Sequence, residues 1–201
     1  MPALSREEFD AIEFDAAASG DHESAARRMN RLAWAGTETD SMPRSEAFLR
    51  AGEQWLLADD PAAAATGFRL AMADGGPVFV DPRVPLARAL YLLGQPAEAQ
   101  ALLDQLKAEG RPDPRACDLV AELLVERSDL TGALDWATAG VELCLQRRSN
   151  GAPGPADHIG GPSGDEGDAE AELRLLLSLR YRIRNDLGLP EDRYDGLLDD
   201  V

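Results

Sequence analysis

Lysine occurs once in the 201 residues, as Lys107, histidine twice, as His22 and His158, and cysteine twice, as Cys117 and Cys144. Two cysteines cannot build a disulfide framework or a four-ligand zinc site, and on helical faces they read as small apolar packing residues. No HExxH, CxxC, GxSxG or GxxxxGK[ST] pattern occurs, so metalloprotease, thiol-redox, serine-hydrolase and phosphate-loop chemistry have no sequence basis. Basic side chains are scarce, 20 Lys+Arg against 37 Asp+Glu, for a formal net charge of −17. Phosphate neutralisation needs a basic surface, so nucleic acid and anionic membrane are excluded as partners. Aromatics are only 5%, which suits strands poorly and alanine-rich helices well. No apolar run reaches the roughly 20 residues of a membrane span. The start, MPALSREEFDAIEFDAAASG, is acidic where a secretory signal would be basic and then apolar. A cytoplasmic chain is the expectation. Hydrophobic residues at 44% are enough for a packed core.

What is present is a repeat. Four segments share a turn, a small residue and an apolar residue: GDHESAARRMNRL from Gly20, DDPAAAATGFRLA from Asp59, GQPAEAQALLDQL from Gly94 and SDLTGALDWATAG from Ser128. Aligned, they put Ala25, Ala64, Ala99 and Ala133 in one column, at spacings of 39, 35 and 34 residues. Met29, Phe68, Leu103 and Ala137 follow four positions on, and Leu32, Ala71, Leu106 and Gly140 three beyond those. Spacing of i, i+4, i+7 is one helical face, opened by a small residue that admits a neighbouring helix. A second helical segment precedes each turn, carrying Phe9, Ile12 and Ala16; Phe48, Ala51, Gly52 and Trp55; Arg83, Leu86, Ala87 and Leu90; and Cys117, Val120, Ala121 and Leu124. Ser5 with Glu8 forms a capping-box pattern. Asp60-Pro61, Asp81-Pro82 and Asp113-Pro114 each set a cap residue before a first-turn proline. The long connection ADGGPVFVDP holds an extended run, Val78-Phe79-Val80, expected to tuck against its neighbours.

Helix, short turn, helix at a period near 34 residues resembles the tetratricopeptide repeat family. The second unit carries the resemblance best, with Gly52, Trp55, Ala64, Phe68 and Ala71 at the family's Gly, Tyr, Ala, Phe and Ala positions. In the first unit Glu13 stands where a small residue is expected. The resemblance implies an all-α, right-handed superhelical array of antiparallel helix pairs over residues 1–148. It further implies that the first helix of each pair lines a concave groove. Position by position, that lining takes in Glu7, Asp10 and Phe14, then Glu46, Leu49, Glu53, Leu56 and Leu57. The later pairs add Val84, Arg88, Tyr91, Arg115, Asp118, Glu122 and Glu126. Relatives that clamp a carboxylate place Lys, Arg and Asn where acidic residues stand here, so a basic or amphipathic segment is the expected occupant.

Residues 149–168, SNGAPGPADHIGGPSGDEGD, hold six glycines and three prolines and read as a flexible linker. GGPSG lacks the lysine of a phosphate loop, and the acidic Asp165–Asp168 run lacks the alternating spacing of a calcium loop. Residues 169–201 then read as a helix that caps the array through Leu173, Leu176, Leu177, Leu179 and Ile183, ended by Gly188 and followed by a short terminal helix. Arg180, Arg182 and Arg184, at alternate positions, are expected to splay around that helix and pair with nearby acidic side chains, Glu172 or Asp186 among them. RYRIRNDLGLPEDRYDGLLDD is similar to the stretch before the SEC-C zinc motif in some bacterial tetratricopeptide-like proteins. The Cys-rich signature is missing from these residues, so no zinc function is carried over.

The expectation is a non-catalytic protein–protein interaction module without cofactor or metal, binding another protein's basic or amphipathic segment in an acidic groove. The alternative is a structural homo-oligomer, a homodimer for example, packing through the array or the terminal helix.

Overall fold

The computed structural model describes residues 3–39, 41–109, 113–150 and 166–199. Among them are nine α-helices and no strand: α1 (Arg6–Ser19), α2 (His22–Ala35), α3 (Arg44–Leu57), α4 (Pro61–Asp74), α5 (Arg83–Leu92), α6 (Pro96–Ala108), α7 (Pro114–Glu126), α8 (Leu130–Asn150) and α9 (Glu166–Asp186). A 3-10 turn, Asp195–Asp199, follows. The central part of the Gly/Pro-rich stretch, residues 151–165 with His158 and GGPSG, lies outside the described residues. α8 and α9 extend into its two ends.

Two of the expected Asp-Pro caps form, at Asp60 and Asp113, and Asp21 adds a third. The side chains of Asp21, Asp60 and Asp113 accept the N–H groups of Ser24, Ala63 and Ala116, with Pro61 and Pro114 in the first turns of α4 and α7. The capping box at α1 is only half made. Ser5 Oγ accepts the Glu8 N–H, but the Glu8 carboxylate turns away to Arg28 of α2 at 3.0 Å. At Asp81-Pro82 the proline precedes the helix, and Asp81 instead accepts the Arg83 N–H and pairs with its guanidinium. The four residues that open the aligned segments share one backbone state: Gly20, Asp59, Gly94 and Ser128 have φ of +76°, +59°, +71° and +62°. Each supplies the left-handed residue that turns one helix back toward the next. Asp59 and Ser128 occupy it despite their Cβ atoms, at a cost glycine avoids.

The chain divides inside α6, after Gln105, into two compact units, whereas composition suggests a boundary near residue 149. In the first, helices pack in chain order, α1 on α2, α2 on α3, α3 on α4 and α4 on α5. Ala25, Ala64 and Ala99 are buried there, as are Met29, Phe68 and Leu103. A Cβ on Gly67 would lie 3.1 Å from the Cα of Gly52, and one on Gly52 would lie 2.5 Å from the Phe68 ring, so glycine on both helices sets how closely α3 and α4 approach. In the second unit α9 packs on both α7 and α8. All five expected anchors, Leu173, Leu176, Leu177, Leu179 and Ile183, are buried. Val78-Phe79-Val80 is not a strand. The Phe79 ring stays 41% exposed, while its backbone N–H docks on α3.

Candidate functional site

The most concentrated polar arrangement in the first unit lies between α1 and α3. Glu46, Arg50 and Glu53 stand at i, i+4, i+7 on α3, one face of a helix, and Asp10 and Glu13 stand three apart on α1. Arg50, 8% exposed, reaches across 40 residues of sequence. Its Nη2 donates to Asp10 Oδ1 at 2.6 Å, and its Nε to Glu13 Oε1 at 2.8 Å, with Nη2 closing a fork on the second Glu13 oxygen. Such a planar fork matches a carboxylate in both distance and direction. Burial alone would lower the Arg50 pKa, but Glu13 and Asp10 outweigh it and raise it. The guanidinium also lies 5.7 Å from the Phe9 ring centroid.

The two α3 carboxylates are used differently. Glu46 is buried, and its Oε2 accepts the Phe79 N–H at 2.8 Å. With Ser45 Oγ donating to the Pro77 carbonyl at 2.8 Å, it ties the α4–α5 connection to the start of α3. Burial raises the Glu46 pKa against the pull of that hydrogen bond and of Arg50. Glu53 is half-buried and makes no hydrogen bond or ion pair among the described residues. Burial, and then repulsion from Glu46 and Glu13, push its carboxyl up to about 7. Around Arg50 the carboxylates outnumber the cations, even counting the longer-range pull of Arg6 on Glu46. An added cation beside Glu53 would therefore be stabilised.

This arrangement has a pH signature. The folded-state pKa of Glu53, about 7 against 4.5 for an ordinary glutamate, means that between these values the native state holds a proton that the unfolded chain has lost. Stability falls as pH rises through that window and levels off above it. Glu53→Gln should remove the fall and raise stability at pH 8 by about 1–3 kcal/mol, an upper range reduced by partial exposure. Urea melts at pH 5, 6, 7 and 8 check both the sign and the window.

The other expected lining residues are placed as follows. Glu7 is exposed and accepts the Ser5 hydroxyl at 2.6 Å, which lowers its pKa. Phe14 is 75% exposed. Leu49 is 1% exposed and belongs to the core, so it offers no surface, and Val84 is likewise buried. Leu56 is half-buried and Leu57 exposed. Arg88 is exposed, and Tyr91 donates its hydroxyl to Gln100 at 3.2 Å. In the second unit Asp118 and Glu122 stand one turn apart on α7, with Arg115 and Glu126 exposed on the same helix. Burial, then Glu122, raise the Asp118 pKa. Asp10, Glu46 and Glu53 are thus brought together. Glu13 and Arg50, which complete the cluster, were not among the expected residues; the 46–50–53 spacing was the available signal.

Elsewhere, Cys117 and Cys144 are buried, and burial pushes both thiols up to about 12, too high for a thiolate near neutral pH. His22 Nδ1 lies 2.9 Å from Gln54 Oε1. No group of three or more His, Cys, Asp and Glu among the described residues is arranged to hold a metal. No described helix is long and apolar enough to cross a membrane.

The arginines of α9 depart from expectation. Arg182 is exposed, but Arg180 and Arg184, four apart, share a face and are both buried. Their partners are Asp192 and Asp195, not Glu172 or Asp186. Glu172 lies instead 3.7 Å from Arg147. Comparison with family models, curated proteins and solved structures finds no match for the chain.

Proposed function

We propose that the chain is a non-catalytic, cytoplasmic protein-interaction module of tetratricopeptide-like architecture, a right-handed array of helix pairs. Its acidic α1–α3 face takes a basic, amphipathic segment of a partner protein. One observation carries this reading: Glu53, a half-buried carboxylate without a bonded partner, stands beside Glu46 and Glu13, and Arg50 is already committed to Glu13 and Asp10. A lysine or arginine set against Glu53 supplies the missing charge, and complementarity of that kind favours cationic segments over acidic ones. The exposed Phe14 ring offers apolar surface on the same first helix.

The test is fluorescence anisotropy with a labelled helical peptide carrying Arg and Leu at i, i+4. The chain should bind it, and Asp10→Asn with Glu53→Gln should weaken binding about tenfold, roughly 1.4 kcal/mol. Equal affinity in a folded double variant would overturn the proposal. Absence of binding together with a concentration-dependent dimer in sedimentation would favour the homo-oligomer instead.

A further inference from the structure

The second unit carries a site of opposite chemistry. Arg180 and Arg184 both form ion pairs with the same two carboxylates; Arg180 hydrogen-bonds them, while Arg184 donates its Nη2 to the Pro190 carbonyl of the same segment. Arg180 Nη1 donates to Asp192 at 3.0 Å and to Asp195 at 3.2 Å, while Arg184 lies 2.8 Å from Asp192 and 3.2 Å from Asp195. The Arg180 side chain is 4% exposed. Its Nε donates to Thr138 Oγ1 of α8 at 3.1 Å, so its aim is set partly by a group outside the segment it holds.

That segment, residues 189–199, is a strap held by charge more than by apolar contact. Tyr194 is its one buried apolar side chain among the described residues, lying 4.6 Å from Arg180 and donating to Glu142 at 2.7 Å, and the Asp195 carboxylate beside it is only 7% exposed. Leu189 is 41% exposed, and Leu197 and Leu198 are half-buried. α9 has its own anchorage through five buried aliphatic side chains. Gly188, at φ +67°, separates helix from strap. The strap can therefore lift while α9 stays docked, in the manner of local opening. Lifting leaves two guanidiniums four residues apart, a geometry that recognises paired carboxylates.

We propose that Arg180 and Arg184 form a binding site for an acidic protein segment with two aspartates three residues apart, and that the chain's own strap masks it. The pattern Asp-x-x-Asp is the ligand chemistry because Asp192 and Asp195 already satisfy the site. Tethering gives the strap an effective concentration on the order of millimolar, so an outside segment competes only when the strap is released.

The probe is a labelled peptide of residues 189–198, titrated into the full-length chain and into its Asp192→Asn, Asp195→Asn variant. The variant should bind at least about tenfold more tightly than wild type, and adding Arg184→Gln, or using the peptide with both aspartates changed to asparagine, should abolish the gain. A variant with unchanged helical circular dichroism and no gain overturns the proposal. Should the variant fail to fold, hydrogen exchange on wild type decides. Amides of the strap should exchange much faster than those of Leu176–Ile183, and faster still at 1 M salt, where screening shortens to about 3 Å. Equal exchange in strap and helix would make the pair a fixed structural clamp and overturn the proposal.

Discussion

Replacing Arg50 by alanine should destabilise the first unit by about 2–4 kcal/mol at pH 8, the upper range for a broken buried pair reduced because Asp10 and Glu13 are partly exposed. The loss is not confined to two ion pairs. Arg50 is the cation that bonds Asp10 and Glu13, and it also opposes the raised pKa values of Glu46 and Glu53. Without it Glu46, buried on its hydrogen bond to Phe79, faces Glu13 and Glu53 with little compensation. The deficit should shrink as pH falls, because Glu53 and Glu46, both raised by burial, take up protons and the like charges disappear. Urea denaturation of wild type and Arg50→Ala at pH 5 and pH 8 checks this. A deficit of the same size at both values would mean that Arg50 contributes mainly by packing its stem against Phe9.

Phe68→Ala should cost about 3–5 kcal/mol, independent of pH. Phe68 is fully buried, and its ring fills the space left by the missing Cβ of Gly52. Two helices brought together by Gly52 and Gly67 have little freedom to collapse further, so the vacated volume remains as a cavity. The effect should appear as a lower urea midpoint with an unchanged slope. A cost below about 1 kcal/mol would show that α3 and α4 repack without difficulty, and that glycine does not set their distance.

The turns and the buried small-residue column were legible because both are local. The left-handed residue at Gly20, Asp59, Gly94 and Ser128, and the caps at Asp60 and Asp113, depend on neighbours within a few positions. The face of α3 was misassigned at Leu49 because that helix packs on both α2 and α4. Ten of its fourteen residues are buried, so periodicity alone does not separate core from groove. Arg50 with Asp10 and Glu13, and Arg180 and Arg184 with Asp192 and Asp195, are tertiary pairs. The run Arg180, Arg182, Arg184 suggested splayed charges, yet the first and last are four apart and share one side. The division inside α6 has no mark in composition, since no glycine, proline or change of charge accompanies Gln105 and Leu106.

The proposed module recognises a cation on a partner through the Glu53 carboxylate. The most direct measurement is the affinity of the Arg/Leu helical peptide for wild type and for Glu53→Gln, between pH 5.5 and 8.5. A cation binds the ionised carboxyl better, so wild-type affinity should rise through about pH 7, where Glu53 titrates, and the rise should vanish in Glu53→Gln. Affinity that is flat with pH in wild type, or that rises equally in the variant, would contradict the account.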